Sequence, residues 1–196
     1  FDLDRLAGPG IVVRTARAGE RLTTLDGVER TLDPADLLIC DAGDAPQALA
    51  GIMGGAGSEV TATTTRILLE SAYFERMGIA RTSKRAKVRS ESSARFERGT
   101  DPDGVATAAD RALELLIEVA RARVAPAAVD EYPHPVVRPS ITVRTEKVNA
   151  VLGTDLSGGA VRDALVPLGI DLTEIDATAG VFTAVPPTFR PDLDRE

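Results

Sequence analysis

The sequence predicts an α+β protein. A mixed or antiparallel β-sheet domain with packed helices is expected over residues 1–135, and a small winged-helix-like α/β module over 138–196. Three observations carry this. Short β-prone runs crowd the first 74 residues, punctuated by glycines and an Asp-Gly turn; a single long amphipathic helix follows; and beyond the proline-rich "YPHPVVRP" the pattern reads strand, two short helices, hairpin.

In chain order, "IVVRTA" from Ile11 predicts a strand. "RLTTLDGVERTL" sets Asp26-Gly27 between two β-prone arms and predicts a two-residue type I′ hairpin. "DLLICDA" and "ALAGIMGG" supply further strands, and "ILLESAYF" (Ile67 to Phe74) predicts another, apolar on both faces as in a covered strand. "ERMGIARTSKRAKVRS" predicts a helix running into a basic loop. From Asp101, a plausible N-cap ahead of Pro102, to about Arg123 the spacing of Ala109, Ala112, Leu113, Leu116 and Ala120 predicts a helix packed on the sheet, its stripe widened by Leu115 and Val119. "VAPAAVDEY" predicts a returning strand. After the prolines come a strand, a helix over about Thr145 to Leu152, a second helix capped near Ser157, and a hairpin ending at "VFTAVPP".

Composition narrows the chemistry. The chain of 196 residues is 43% hydrophobic and 27% charged, the balance of a globular protein, and with 4% aromatics and no Trp its core must be aliphatic. A net charge of −7 argues against a protein that simply coats nucleic acid, and against DNA binding by the C-terminal module, so any RNA contact requires a local basic patch. Cys40 stands alone, which excludes an internal disulfide and a cysteine zinc site and predicts a buried small apolar residue. His134, alone between two prolines, reads as a linker histidine. No apolar run reaches the ~18 residues of a membrane span and no signal peptide is present, so a cytoplasmic protein is expected. The chain opens at Phe1 without an initiator Met and stops in a charged run at Glu196, which predicts a portion of a longer polypeptide.

Four stretches could carry chemistry. Glu70, in the middle of an apparent buried strand, is a carboxylate whose isolation costs several kcal/mol or raises its pKa; either an internal partner such as Arg95 or Arg98 satisfies it, or a visitor does. "GIMGGAGSEV" lacks the pattern of a phosphate-binding loop and reads either as a tight connection or as a glycine wall that admits a ligand. Arg81, Lys84, Arg85, Lys87 and Arg89 lie within nine residues, a solvated loop or a phosphate contact. In "RSESSARFERGTDP", Arg95, Glu97 and Arg98 could form an ion-pair network. Its serines have no base to activate them, so they fit groups that orient a ligand or water rather than nucleophiles.

Together "TLDGVERTL", "ALAGIMGGAGSEV", "ILLESAYF", "RSESSARFERGTDP" and "PPTFRPDLDRE", in this order, resemble the β subunit of bacterial phenylalanyl-tRNA synthetase over essentially the whole chain. Residues 1 to about 135 resemble most of its tRNA-editing domain, and residues from about 138 resemble the start of the small domain that follows.

The resemblance implies roles residue by residue. Glu70 of the "LLESA" motif accepts a hydrogen bond from the hydroxyl of tyrosine wrongly attached to tRNA(Phe). A pocket built for that hydroxyl rejects phenylalanine, which leaves the carboxylate unpaired. Gly54 and Gly55 match glycines that shape the pocket. Ser90 matches a small hydroxyl position that orients the attacking water or the ester. Ser92 stands where alanine is expected, adding a polar group and narrowing the pocket. Arg81, Lys84, Arg85 and Lys87 are the expected tRNA contacts, and Asp192 matches the first of several acidic Mg²⁺ ligands, the others lying beyond Glu196.

The family's editing histidine precedes the segment that begins here as Phe1-Asp2, so the chain by itself is expected to edit poorly and to hold no cofactor. The parent enzyme is expected to join phenylalanine to tRNA(Phe) with ATP and Mg²⁺, in an (αβ)₂ assembly with the α subunit. Two rivals are a structural, tRNA-docking part of the β subunit without editing activity, and a free-standing editing-like protein, against which the "FRPDLDRE" ending argues.

Overall fold

A computed structural model describes residues 1–196 except Pro9, Ala127 and Ala177. The chain forms two compact units, Phe1–Thr100 with Val105–Leu115, and Asp101–Gly104 with Leu116–Glu196. Its secondary structure is mixed α and β with antiparallel sheets, as the sequence predicts.

The first unit contains strands β1 (Ile11–Thr15), β2 (Arg21–Thr23), β3 (Glu29–Thr31), β4 (Leu37–Asp41), β5 (Pro46–Leu49) and β6 (Met53–Gly54). β1, β4, β5 and β6 pair antiparallel in that spatial order. β4 lies inside the sheet, and its continuous apolar run is buried at Leu38, Ile39 and Cys40. Burial raises the Cys40 thiol pKa, in keeping with an inert core cysteine. Pro46, which has no N–H to give a ladder, pairs with Cys40 where the β4–β5 register shifts. Leu22, Leu32, Leu49, Ile52, Phe74, Ile79 and Val88 complete this core.

β2 and β3 form the expected hairpin but with a different turn. Thr24 N–H donates to Val28 O at 3.1 Å and Gly27 N–H to Thr24 O at 2.8 Å, closing a three-residue loop with Gly27 at φ +77°. The Asp26 side chain decides it. Its carboxylate accepts from Thr24 Oγ1 (2.6 Å), Val28 N–H (3.2 Å) and both terminal nitrogens of Arg30 (2.8 Å each). Arg30 above all holds the Asp26 pKa well below the usual carboxylate range.

Helix α1 (Arg76–Ala86) is capped by Glu75, whose carboxylate accepts from Met77 N–H (2.8 Å) and Gly78 N–H (2.6 Å). It ends at Lys87 in the left-handed conformation. Helix α2 (Glu91–Phe96) begins with a reciprocal capping box: Ser93 N–H donates to Ser90 Oγ at 3.0 Å and Ser90 N–H to Ser93 Oγ at 2.9 Å. Helix α3 (Val105–Ala120) starts three residues later than expected. The Asp101 carboxylate accepts from Asp103 N–H at 3.0 Å and closes a turn there instead of capping a helix. Ala109, Ala112, Leu113 and Leu116 are half-buried, but Ala120, Leu115 and Val119 are exposed, so the stripe is narrower and shorter than its composition suggests.

"ILLESAYF" does not form a sheet strand. Ile67 bridges Asp2, Phe1 and Leu68 exchange two 3.0 Å backbone hydrogen bonds, and beyond Leu68 the segment has no strand pairing among the described residues. Its periodicity reflects anchoring at Phe74 rather than burial of both faces; Ile67 and Leu69 are exposed. Nor do the described residues of "VAPAAVDEY" form a strand; Ala127 lies outside them.

In the second unit β7 (Ile141–Arg144) is followed by α4 (Thr145–Leu152), α5 (Gly158–Leu165), β8 (Asp171–Asp176) and β9 (Val181–Val185), the sheet running β7-β9-β8 antiparallel. Ser157 caps α5 as its position predicts. Asn149 fixes the link between the two helices: its Oδ1 accepts from Thr154 Oγ1 and Leu156 N–H, each at 2.8 Å. Gly180, at φ +61°, is required because a Cβ there would lie 2.5 Å from Thr145 Oγ1. His134 is exposed, in the proline-rich stretch. Among the described residues no helix is long and apolar enough to cross a membrane.

Candidate functional site

Glu70 is the group around which the first unit's candidate site is built. It is solvent-accessible rather than buried in a strand. Among the described residues no hydrogen bond or ion pair satisfies its carboxylate, and neither Arg95 nor Arg98 reaches it; nor do Arg95, Glu97 and Arg98 pair with one another. Solvent touches the side chain, yet enough protein surrounds it that desolvation pushes its pKa above the ordinary 4.5, while the Phe1 ammonium pulls the other way. The result is a partly desolvated carboxylate that solvent, and so a visitor, can reach.

Its neighbours are held firmly. Ser71 Oγ donates to Val105 O at 2.8 Å, tying the segment to the start of α3. Phe74, 7% exposed, meets Phe96 of α2 edge-on with ring centroids 5.0 Å apart. Both anchors escape a reading of the segment as a strand; only the aromatics in "SAYF" and "ARF" hint at the second.

α2 in turn grips the glycine turn. Ser90 Oγ donates to Ile52 O at 2.5 Å and Ser92 Oγ to Gly51 O at 2.9 Å. Gly51 has φ +66°, and a Cβ there would come within 2.8 Å of Phe74 and Ile79 side-chain carbons. The turn therefore sits against the same Phe74 that terminates the Glu70 segment. Ser90 and Ser92 meet in this place, but their hydroxyl protons are committed to backbone carbonyls. Ser90 Oγ also accepts from Ser93 N–H, which leaves it one free acceptor position and no donor.

Gly54 and Gly55 follow directly. At Gly55 a Cβ would meet Gln47 O at 2.7 Å and Leu22 Cδ1 at 2.9 Å; at Gly54 it would meet Leu25 Cδ1 at 3.2 Å. Close packing of the protein on itself explains both glycines.

The basic run divides. The Arg85 guanidinium donates to Asp36, which is 3% exposed, and to Thr82 Oγ1 at 3.1 Å, with Asp33 at 3.8 Å. Arg81, Lys84 and Lys87 are exposed, with no side-chain partner among the described residues. In the second unit both carboxylate oxygens of Asp192 accept from Arg190, at 2.9 and 2.8 Å. The described residues hold no group of three or more His, Cys, Asp or Glu side chains placed for a metal ion.

The family model of the B3/4 domain matches residues 1–121, and that of the tRNA synthetase B5 domain matches residues 141–196. The chain belongs to the B3/4 domain family. All of it aligns with curated phenylalanine–tRNA ligase beta subunits, aminoacyl-tRNA synthetases: 48% identical for that of Geobacter sulfurreducens, 46% for Moorella thermoacetica and 45% for Syntrophotalea carbinolica. The chain spans about a quarter of the length of these relatives, 24% in each case. B3/4 membership places Glu70, the glycine turn and α2 in one family domain, and the second unit's sheet and helices fall within the B5 match.

Proposed function

We propose that this chain is the B3/4–B5 part of a phenylalanine–tRNA ligase β subunit, with an editing domain over 1–135 that hydrolyses tyrosine misattached to tRNA(Phe) and a small domain over 138–196. One observation carries the reading: Glu70 is an exposed carboxylate with no internal partner among the described residues, set close enough to the protein that desolvation raises its pKa. A tyrosine hydroxyl donates to it; phenylalanine has nothing to offer and leaves it unpaired.

The reaction needs little chemistry from the chain. Water attacks the ester carbonyl carbon, the bond to the ribose oxygen breaks, and that oxygen leaves with a proton. Ser90 and Ser92 act by holding the Gly51–Ile52 turn, which Gly54 and Gly55 follow, and the free acceptor of Ser90 is available to a water proton. Arg81, Lys84 and Lys87 contact the tRNA. Ligation of phenylalanine with ATP and Mg²⁺ belongs to the complete cytoplasmic enzyme with its α subunit.

The test is hydrolysis of tyrosyl-tRNA(Phe) and phenylalanyl-tRNA(Phe) by the complete β subunit in complex with α. Rapid loss of the tyrosyl ester with the phenylalanyl ester spared is expected; equal rates refute the reading. A second reading, a tRNA-docking part without editing, is favoured by the commitment of both serine hydroxyl protons to backbone carbonyls. It predicts tRNA binding with neither ester hydrolysed.

A further inference from the structure

Beyond Leu68 the Glu70 segment has no strand pairing among the described residues, so something other than a sheet sets where its carboxylate stands. Just upstream, an isolated bridge pairs Asp2 with Ile67. Leu3 N–H donates to Arg66 O and Leu68 N–H to Phe1 O, each at 3.0 Å. From Ile67 to Glu70 is at most about 11 Å of extended chain. A shift at the bridge is therefore carried to the carboxylate.

A side chain staples this bridge. Asp2 is 6% exposed, and both of its carboxylate oxygens are engaged. Oδ1 accepts from Asp4 N–H at 3.0 Å and caps the short 3-10 helix Leu3–Arg5. Oδ2 accepts from Thr64 Oγ1 at 2.6 Å and has Arg5 Nε at 3.6 Å. Thr64 Oγ1 in turn accepts from Thr61 N–H at 2.9 Å, and Thr64 N–H donates to Thr61 O at 3.1 Å, closing the turn that leads into Arg66 and Ile67. One carboxylate thus joins two stretches 62 residues apart. The first stretch is itself fixed, because Phe1 packs against the core and Asp2 N–H donates to the carbonyl of the buried Ser58 at 2.9 Å. The Asp4–Arg66 ion pair beside it is exposed and adds little. The Asp2–Thr64 contact is sheltered, and there a hydrogen bond to a carboxylate counts for more.

We propose that Asp2 is a positioning residue for recognition of the tyrosine hydroxyl: through Thr64 it fixes residues 66–68 and so the place of the Glu70 carboxylate. This rests on the reading of Glu70 given under Proposed function. Buried and engaged on both oxygens, Asp2 acts through Glu70 rather than on the amino acid.

The experiment measures kcat/KM for deacylation of tyrosyl-tRNA(Phe) and phenylalanyl-tRNA(Phe) by the complete enzyme carrying D2A, D2N, T64V, E70A or D2A/E70A. D2A is expected to lower the tyrosyl-to-phenylalanyl preference roughly tenfold, within the roughly hundredfold that a misplacement of about 1 Å can cost. T64V removes one contact and keeps the carboxylate; it lowers the preference about threefold and carries the test should D2A not fold. Asparagine accepts from Asp4 N–H and donates to Thr64 Oγ1, so D2N keeps most of the preference. In the E70A background D2A changes the preference no further. A merely structural Asp2 would lower both rates alike and leave their ratio intact. An unchanged ratio in D2A and T64V, with E70A lowering it, overturns the proposal and spares the editing reading. A D2A effect that persists undiminished beside E70A also overturns it. If E70A itself leaves the ratio unchanged, the reading of Glu70 fails and the positioning role falls with it.

Discussion

Ser90 donates its hydroxyl proton to the carbonyl of Ile52 at 2.5 Å, so the residue that opens α2 also fixes the turn between β5 and β6. The same oxygen accepts from Ser93 N–H. One side chain thus joins a helix cap to a tertiary contact, and removing it breaks both. Ser90→Ala is expected to lower unfolding free energy by about 1–2 kcal/mol in denaturant titration, with Ser90→Thr recovering most of it. A Ser90→Ala protein as stable as wild type that has nonetheless lost ester hydrolysis would show that the hydroxyl acts on substrate.

Gly51 is the other half of that junction. Its positive φ and the 2.8 Å approach of a hypothetical Cβ to Phe74 and Ile79 combine backbone strain with overpacking. Gly51→Ala is expected to cost roughly 2–4 kcal/mol. Thermal unfolding checks this, and a shift of only a degree or two would mean that the turn relaxes freely.

Arg85 closes α1 onto a carboxylate that is 3% exposed. Arg85→Ala removes the cation and leaves Asp36 with Asp33 N–H (2.8 Å) as its remaining hydrogen bond. A loss of about 1.5–3 kcal/mol in denaturant titration is expected. The double variant R85A/D36A should recover part of it, since the orphaned charge is then gone.

These three residues show what the sequence made legible. Strand positions in the first unit follow from apolar runs bounded by glycines, and the second unit's strand–helix–helix–hairpin order follows from Ser157 and the alternation in "VFTAV", because local signals decide both. "ILLESAYF" misleads because a run that is apolar at both parities looks the same whether sheets cover it or two anchors hold it. Asp26 and Asp101 redirect a turn and a helix start through side-chain hydrogen bonds whose strength residue type alone does not reveal. Arg85 and Lys84 are adjacent in a uniform basic run, yet only the fold brings Asp36 to one of them. At the candidate site, Glu70 stands out in the sequence as a charge among apolar residues. The serine grip on Gly51 and Ile52 does not, since it depends on a contact across about 40 residues.

The pKa of Glu70 gives a pH signature with a definite sign. Because desolvation raises the folded value above 4.5, the folded state binds the proton more tightly than the unfolded chain. The associated stabilisation is full below the unfolded pKa and is lost as pH rises through the folded pKa. Relative to Glu70→Gln, wild type should therefore lose stability as pH rises above 4.5, measured by denaturant titration at each pH. Parallel curves for the two proteins contradict the assignment.

The most direct measurement compares kcat/KM for deacylation of tyrosyl-tRNA(Phe) and phenylalanyl-tRNA(Phe) by the complete enzyme before and after Glu70→Ala. A charged hydrogen bond of about 1.5–3 kcal/mol predicts a tyrosyl-to-phenylalanyl preference reduced roughly 10- to 100-fold, with the fold unchanged. A variant that keeps the full preference would contradict the account, because the carboxylate of Glu70 would then not be what recognises the hydroxyl.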